Sequence, residues 1–527
     1  MNLGDFIHRL HYETDRARPP NWEVDWEDAP LKVKQYRGLP VVPLSSEVPL
    51  TLERGRLPEN PGLDSVGHML WYVYGLTQMC QSSPSLDSAA PQDKGSLQWC
   101  RRFVPSGGAL YPNEVYVYLN IEDAPAGVYH YDAAHHRLVL LREGNFDRYV
   151  SGALGERCDV SGCFGTVFVS TVFWKNFFKY HYFSYRLQGL DAGVLIGQLL
   201  EVAKRFGFAA GVHYQFLDRA VNHLLGLSER EESVYAVIPL SVEPAVKQAA
   251  AGRSRGGSVS AGDLCRELPT VRHHSFLRSK RVKEYPLLIR MNEASFAESS
   301  HSFREIGGGR DIGYGGRAFV LPYVRRMSYD LAAASRNRRS PDMDFVMREV
   351  NPVQLAAMLQ EAAASFRYRN DLDGADEALV SRVSLYCCLY GMEGIPDGAY
   401  RYDSAAHLLQ QIRPGDHRIW LQQAMSLHNV NLLQVPICLH AAGDRDHLLP
   451  VLGARGYRIG QMETGILVQR VLLAASALGM GGHPLLGFDT RMCDDIYELS
   501  PRGKVSLIQI PIGPYRQRAW LKGSLHG

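Results

Sequence analysis

Gly127-Val-Tyr-His-Tyr-Asp-Ala-Ala-His-His-Arg-Leu-Val-Leu-Leu-Arg-Glu-Gly144 returns further along the chain as Gly398-Ala-Tyr-Arg-Tyr-Asp-Ser-Ala-Ala-His-Leu-Leu-Gln-Gln-Ile-Arg-Pro-Gly415. Half of the positions are identical without a gap, at an offset of 271 residues. Later landmarks keep an offset of 272. Tyr185-Arg186 falls on Tyr457-Arg458, Gly193 on Gly465, Gly207 on Gly479, Leu227-Ser228 on Leu499-Ser500, and Ile238-Pro239 on Ile510-Pro511. One spacing held across so many landmarks marks a tandem duplication of a single α/β domain.

Within each copy the elements follow from local pattern. Val128–Asp132 and Arg137–Arg142 alternate as a hairpin, after a strand at Val115–Leu119. Thr166–Phe173 and Val234–Leu240 are β-rich apolar runs that read as buried strands. Leu187–Arg205 carries a wide apolar face at helical spacing, and Gly207 is suited to end it. A second helix is expected over Leu63–Met79, followed by a loop over 81–98. The expected organisation is an extended, proline-punctuated arm over 1–60, a first domain over 61–243, and a flexible linker over 244–275. A second domain over 276–515 and a tail over 516–527 complete it. Within the second domain, the glycine-rich run Ile306–Arg317 is expected to be a mobile surface loop.

Composition narrows the class. The 527 residues are 46% hydrophobic and 21% charged, enough for substantial cores in a soluble protein. A formal charge of +2 gives no electrostatic reason for a nucleic-acid partner. The amino end lacks a secretory pattern, and no apolar run approaches bilayer length, so the expected location is the cytoplasm. Nine scattered cysteines lack zinc-site spacing and read as reduced thiols, with no metal or disulfide expected.

The segment richest in chemistry is Arg101-Arg102-Phe-Val-Pro105-Ser106-Gly107-Gly108-Ala109-Leu110-Tyr111-Pro112-Asn-Glu114. It runs from paired cations through a two-glycine turn into a strand. Glycine admits positive φ and close backbone approach to a ligand. Successive amides there could cradle an anion or an electron-rich ring edge, and the arginines could neutralise a phosphate. Taken alone, the same segment also reads as an ordinary loop.

The repeat separates these readings. Pro105–Ala109 falls on Asp376-Glu377-Ala378-Leu379-Val380, and Lys179-Tyr180 falls on Val451-Leu452. The second copy keeps core positions and the long helix but has lost these polar groups and glycines. A purely structural turn would survive in both copies. Loss from one favours a ligand-related role in the other. Tyr185-Arg186 and Asp191 have counterparts in Tyr457-Arg458 and Glu463, which favours a structural role in placing the long helix.

These residues carry a resemblance. Asp25-Trp26, Pro30, Lys34 and Tyr36, then Arg102, Pro105–Pro112 and Glu114, then Val128–Asp132 match the first part of a family pattern. Lys179-Tyr180, Tyr185-Arg186 and Asp191-Ala192-Gly193 complete it. Together, over about the first 245 residues, they resemble the nitroreductase-like, FMN-dependent azoline dehydrogenases of the SagB/ThcOx type. The resemblance implies an α+β sandwich, a mixed sheet flanked by helices, with two units paired through long central helices and FMN at their interface. It implies oxidation of a thiazoline or oxazoline to the thiazole or oxazole on a peptide or carrier-bound substrate, with Lys179 and Tyr180 catalytic. The flavin contacts it implies are Arg101, Arg102, Pro105, Ser106, Gly107, Gly108 and Ala109. Lys179 would act as base if burial or nearby cations such as Lys175 or Arg186 lowered its pKa; Tyr180 would relay the proton or orient the ring.

Two other functions stay open at this stage: an NAD(P)H-dependent nitro- or quinone reductase, and a non-catalytic scaffold of a biosynthetic complex. The paired units could be the two halves of one chain or the first halves of two chains. No full leader-recognition domain is seen before residue 60, so leader binding would fall to a partner protein.

Overall fold

A computed structural model describes residues 3–14, 19, 22–52, 61–82, 97–242, 258–309, 313–374, 381–445, 447–517 and 522–524. The duplication is visible strand by strand. In the first lobe the antiparallel order is Arg137–Glu143, Gly127–Asp132, Asn113–Leu119, Gly165–Val172 and Glu232–Ser241. In the second lobe Leu408–Pro414, Gly398–Asp403, Val383–Leu389, Ile437–Asp444 and Lys504–Gly513 repeat that order. These central strands are nearly all buried in the first lobe because helices cover both faces, so their sequences read as apolar runs.

Each lobe contributes one long helix to a shared centre, Ser184–Phe206 from the first and Leu449–Ala477 from the second. The repeat glycines mark where they cross. A Cβ on Gly193 would collide with the Met462 carbonyl, and one on Gly465 with the Leu190 carbonyl. Only glycine lets the two backbones approach this closely. Tyr185 and Tyr457, repeat equivalents, stack on one another at 5.9 Å and 8°. Arg186, fully buried, reaches across to the Leu507 carbonyl at 2.5 Å. Its counterpart Arg458 lies over the Tyr235 ring at 4.4 Å. The conserved offsets of the sequence therefore include the contacts that join the lobes. Gly207 and Gly479 both end in the left-handed region, at φ 73° and 74°.

The lobes also exchange strands. Arg369–Asn370 of the second half adds in parallel to Ala209–Val212 at the edge of the first sheet. Lys522–Ser524 pairs with Leu76–Ser82, which in turn pairs with Leu97–Arg102.

Several local expectations are corrected. The amino-terminal arm begins with a helix, Leu3–Tyr12, whose Phe6 and Leu10 are buried, and later gives a short strand, Val41–Pro43. Phe6 lies 6.1 Å from both Tyr182 and Tyr185, so that helix is stabilised by tertiary packing, which local periodicity does not report. The helix expected over Leu63–Met79 stops at Tyr74. Gly75 closes it, and Leu76–Ser82 continues as a strand paired with distant partners. The linker includes a helix, Ala261–Glu267, capped by Ser260; its residues 243–257 lie outside the described ones. In the glycine-rich run Gly313, Gly315, Gly316 and Arg317 are exposed, in keeping with a surface loop, and the run is anchored where Gly316 abuts the Gln411 carbonyl and Gln411 N donates to Arg317 O at 2.8 Å. Its residues 310–312 are not among those described. The eight cysteines that can be assessed are free thiols. Among the described residues no helix is long and apolar enough to cross a membrane, and no cluster could hold a metal ion.

Candidate active site

The glycine stretch folds as an extended Ser106 followed by a short turn, Gly107–Ala109. Gly108, Ala109 and Tyr111 all take positive φ, at 63°, 53° and 50°. Such conformations cost of order 1–3 kcal/mol for a non-glycine residue and persist where surroundings enforce them. Here the enforcing group is Asp191 on the first long helix. Ser106 Oγ donates to Asp191 Oδ2 at 2.6 Å, and Gly107 N donates to the same carboxylate at 3.2 Å. Ser106 Oγ also accepts from Tyr111 N at 2.9 Å. Burial pushes the Asp191 carboxyl up to about 7, against the opposing effect of these two donors.

The loop faces the end of the helix Trp174–Tyr180. A Cβ built on Gly108 would sit 2.5 Å from the Tyr180 hydroxyl and 2.9 Å from Lys179 Nζ. Two segments more than seventy residues apart thus meet at one point, and a glycine makes the approach possible. Lys179 Nζ lies 4.8 Å from the Tyr180 ring centroid and 5.4 Å from that of Trp26. Burial, then the nearby charge of Lys32, lowers the Lys179 pKa. Tyr180 is pushed up to about 12 by burial and by Asp191.

The cations expected to tune Lys179 are placed otherwise. Lys175 is ion-paired with Glu114 and donates to the carbonyls of Tyr111 and Lys32 at 3.3 and 3.2 Å. Glu114 also meets His130 Nε2 at 2.8 Å, and its acidity is strengthened by Lys175 and His130 despite burial. This buried cluster ties the strand after the loop to the Lys-Tyr helix and so sets their register. Arg186 is committed to the other lobe. Lys32, from the arm, is the cation that acts on Lys179, and a reading of near neighbours in sequence had no means of finding it.

The two arginines of the opening stretch diverge. Arg102 is 2% exposed; it donates to the Tyr74 carbonyl at 2.6 Å and the Lys32 carbonyl at 3.3 Å, and stacks on the Tyr74 ring at 4.0 Å. Among the described residues its Nε has no partner. Arg101 turns toward the second lobe, donating to the Arg338 carbonyl at 2.6 Å. Arg338 is itself buried, and burial together with Arg101 lowers its pKa to about 9. Among the described residues no carboxylate is ion-paired with Arg338. Half-buried Arg101 and buried Arg338 lie near enough to repel one another, and two such cations suit a dianionic phosphate. A flavin phosphate therefore fits this pair, and the missing side chain at Gly108, beside Lys179 and Tyr180, leaves the loop backbone open to close approach by a flat ring. Arg338 was missed in the sequence because it lies in the copy that had lost the other polar groups. The basic run Arg336-Asn-Arg338-Arg339-Ser340 was the available signal.

In the second lobe the same position is built differently. Glu463, equivalent to Asp191, is clamped by Arg382 at 2.6–3.0 Å, and Arg382 also binds Asp373. The counterpart of Pro105–Ala109, residues 376–380, lies outside the described residues.

A protein-family model described as the nitroreductase family matches residues 86–240 and 382–513, more than half of the chain and one segment in each lobe. The chain belongs to the nitroreductase family. As a nitroreductase-family protein it is similar to the trifolitoxin-processing protein TfxB of Rhizobium leguminosarum bv. trifolii. The two are 30% identical over 198 residues, 36% of this chain and 49% of TfxB. It is also similar to the microcin B17-processing protein McbC of Escherichia coli, 33% identical over 159 residues, 29% of this chain and 55% of McbC. The chain spans about half the length of these curated relatives. A crystal structure from Anabaena variabilis, assigned as a nitroreductase, superposes with a TM-score of 0.72 at 22% identity. That match covers 98% of this chain and 99% of the other. The nitroreductase fold, in two lobes, thus extends over the whole molecule.

Proposed function

We propose that this protein is an FMN-dependent dehydrogenase that converts a thiazoline or oxazoline on a peptide-derived substrate to the aromatic azole. The observation that carries the reading is the close approach of Gly108 to both Lys179 and Tyr180. The similarity to proteins named for processing trifolitoxin and microcin B17 supports the substrate class. In this reading residues 61–243 and 276–515 are the two flavin-fold domains, with the arm before them and a linker between.

Arg101 and Arg338 would hold the phosphate. Arg102, Pro105, Ser106, Gly107, Gly108 and Ala109 would shape the ring site, with Asp191 fixing the loop. When bound, FMN supplies a two-electron acceptor for hydride from the azoline carbon. The protein must remove the proton from the adjacent carbon. Lys179, made less basic by burial and Lys32, is the base; Tyr180, kept neutral far above physiological pH, donates its hydroxyl proton in a hydrogen bond that orients the substrate ring. The half-buried setting limits water around both groups and strengthens these interactions.

The test is direct. Protein loaded with FMN is incubated with a thiazoline-bearing peptide, and the product is weighed by mass spectrometry. Loss of two hydrogens in the wild type, absent in Lys179→Ala protein that still carries flavin, supports the reading. Rapid bleaching of the flavin by NAD(P)H with no change in the peptide would make the protein a small-molecule reductase instead.

A further inference from the structure

A cavity of about 260 Å³ opens beside the second long helix, with Ile7, His11, Val383, His447, Gly460 and Gln461 among its walls. Glu463, which borders it, holds the repeat position of Asp191, so the cavity lies on the same face of the long helix as the candidate active site does in the first lobe. It is not a second flavin site. Lys179-Tyr180 is replaced by Val451-Leu452, and Glu463 is locked to Arg382. Its volume also falls below the roughly 300–1,000 Å³ of pockets for drug-sized ligands.

The cavity nevertheless retains unspent polarity. Gln461 is 2% exposed and its Oε1 has no hydrogen-bond partner among the described residues. His11 is 6% exposed; its Nε2 meets the Tyr457 hydroxyl at 3.2 Å, while Nδ1 is unpartnered among the described residues. Buried polar atoms are nearly always paired with protein or another molecule, and both of these residues border a space whose wall is largely aliphatic and aromatic, with Arg382, Arg445, Asp444 and Glu463 among its polar members. Burial, then Arg186 and Arg445, lowers the His11 pKa and keeps the ring neutral. The wall sets Arg382 and Arg445 against Asp444 and Glu463, two charges of each sign, so neither a cationic nor an anionic guest is favoured.

We propose that this cavity binds an uncharged, planar aromatic molecule of one or two rings whose edge N–H or O–H donates to Gln461 Oε1, with His11 Nδ1 meeting a second polar edge atom. Ring size follows from the volume, neutrality from the surrounding charges, and the edge donor from the lone amide oxygen. Indoles, phenols and N–H azoles are the class. The site does not depend on the flavin reading, because it shares none of the residues assigned to FMN.

Indole and 1-methylindole make a matched pair of probes, differing in the edge N–H. Titrated by calorimetry into the full-length protein, indole should saturate one site per chain and 1-methylindole should bind at least tenfold more weakly. Gly460 lies on a helix and a Cβ there meets no atom within 4 Å. Gly460→Leu should therefore fill the cavity and abolish indole binding while the melting temperature is kept. Gln461→Leu should erase the difference between the two probes. Absence of saturable indole binding, or indole binding undiminished in Gly460→Leu, overturns the proposal. Discrimination that survives Gln461→Leu overturns the assignment of the donor's partner.

Discussion

Asp191 on the first long helix accepts a 2.6 Å hydrogen bond from Ser106 of the glycine loop, while the adjacent Gly107 amide donates to the same carboxylate. A helix that joins the two lobes thereby also holds the loop that faces Lys179 and Tyr180. Removing the carboxylate in Asp191→Ala leaves a buried hydroxyl and a backbone N–H without their acceptor. The expected cost is about 1–3 kcal/mol, measured by urea unfolding of the flavin-free protein. A loss within error would mean that the loop holds its shape without the tether.

Asp191 also predicts a pH dependence. Its carboxyl titrates near 7 when folded, against 3.8 for the ordinary group. The folded state therefore binds the extra proton, and this contribution to stability is complete below about pH 4 and is lost as pH rises through 7. Asp191→Asn keeps an acceptor oxygen but cannot ionise. The melting temperature of the variant relative to the wild type should climb between pH 4 and 7.5. A flat or falling difference would contradict the raised value.

Lys179→Ala should retain the yellow flavin spectrum and lower turnover by about 10²–10⁴-fold, the usual range for a lost general base, while Tyr180→Phe, losing an orienting hydrogen bond, should retain flavin and lower turnover by about tenfold. With Lys179 intact, turnover should rise with pH as the neutral amine forms, over a range below that of an exposed lysine, because burial and Lys32 favour deprotonation. Stopped-flow reduction of the flavin by substrate would report both effects.

Gly108→Val places a side chain on the Tyr180 hydroxyl and Lys179 amine and forces a β-branched residue to φ 63°. Flavin affinity should fall more than tenfold, with a stability loss of about 1–3 kcal/mol. Fluorescence quenching of added FMN would measure the first and thermal melting the second.

Arg338→Ala separates cofactor binding from stability. It removes a buried cation that Arg101 repels, so the flavin-free protein should melt no lower than the wild type. Loss of a charge-assisted contact should weaken FMN by about 10- to 100-fold. A normal dissociation constant by fluorescence titration would exclude the second lobe from the phosphate site.

The sequence alone determined the duplication, the buried strands, the long helices and the asymmetry between copies, because these are written in spacing. Gly193 and Gly465 hold one offset since both helices need the same missing side chain, and the hairpin at Gly127 and Gly398 repeats because its alternation is local. The loop at Pro105–Ala109 and the pair Lys179-Tyr180 were legible separately, as residue types. Only the tertiary structure decided that they meet, that Asp191 clamps the loop, that Lys32 and not Lys175 acts on Lys179, and that Arg338 of the altered copy stands beside Arg101. Those relations are made by chain segments tens to hundreds of residues apart. Their register is set by how the two lobes pack, a property of the folded surfaces that no local pattern of residues carries.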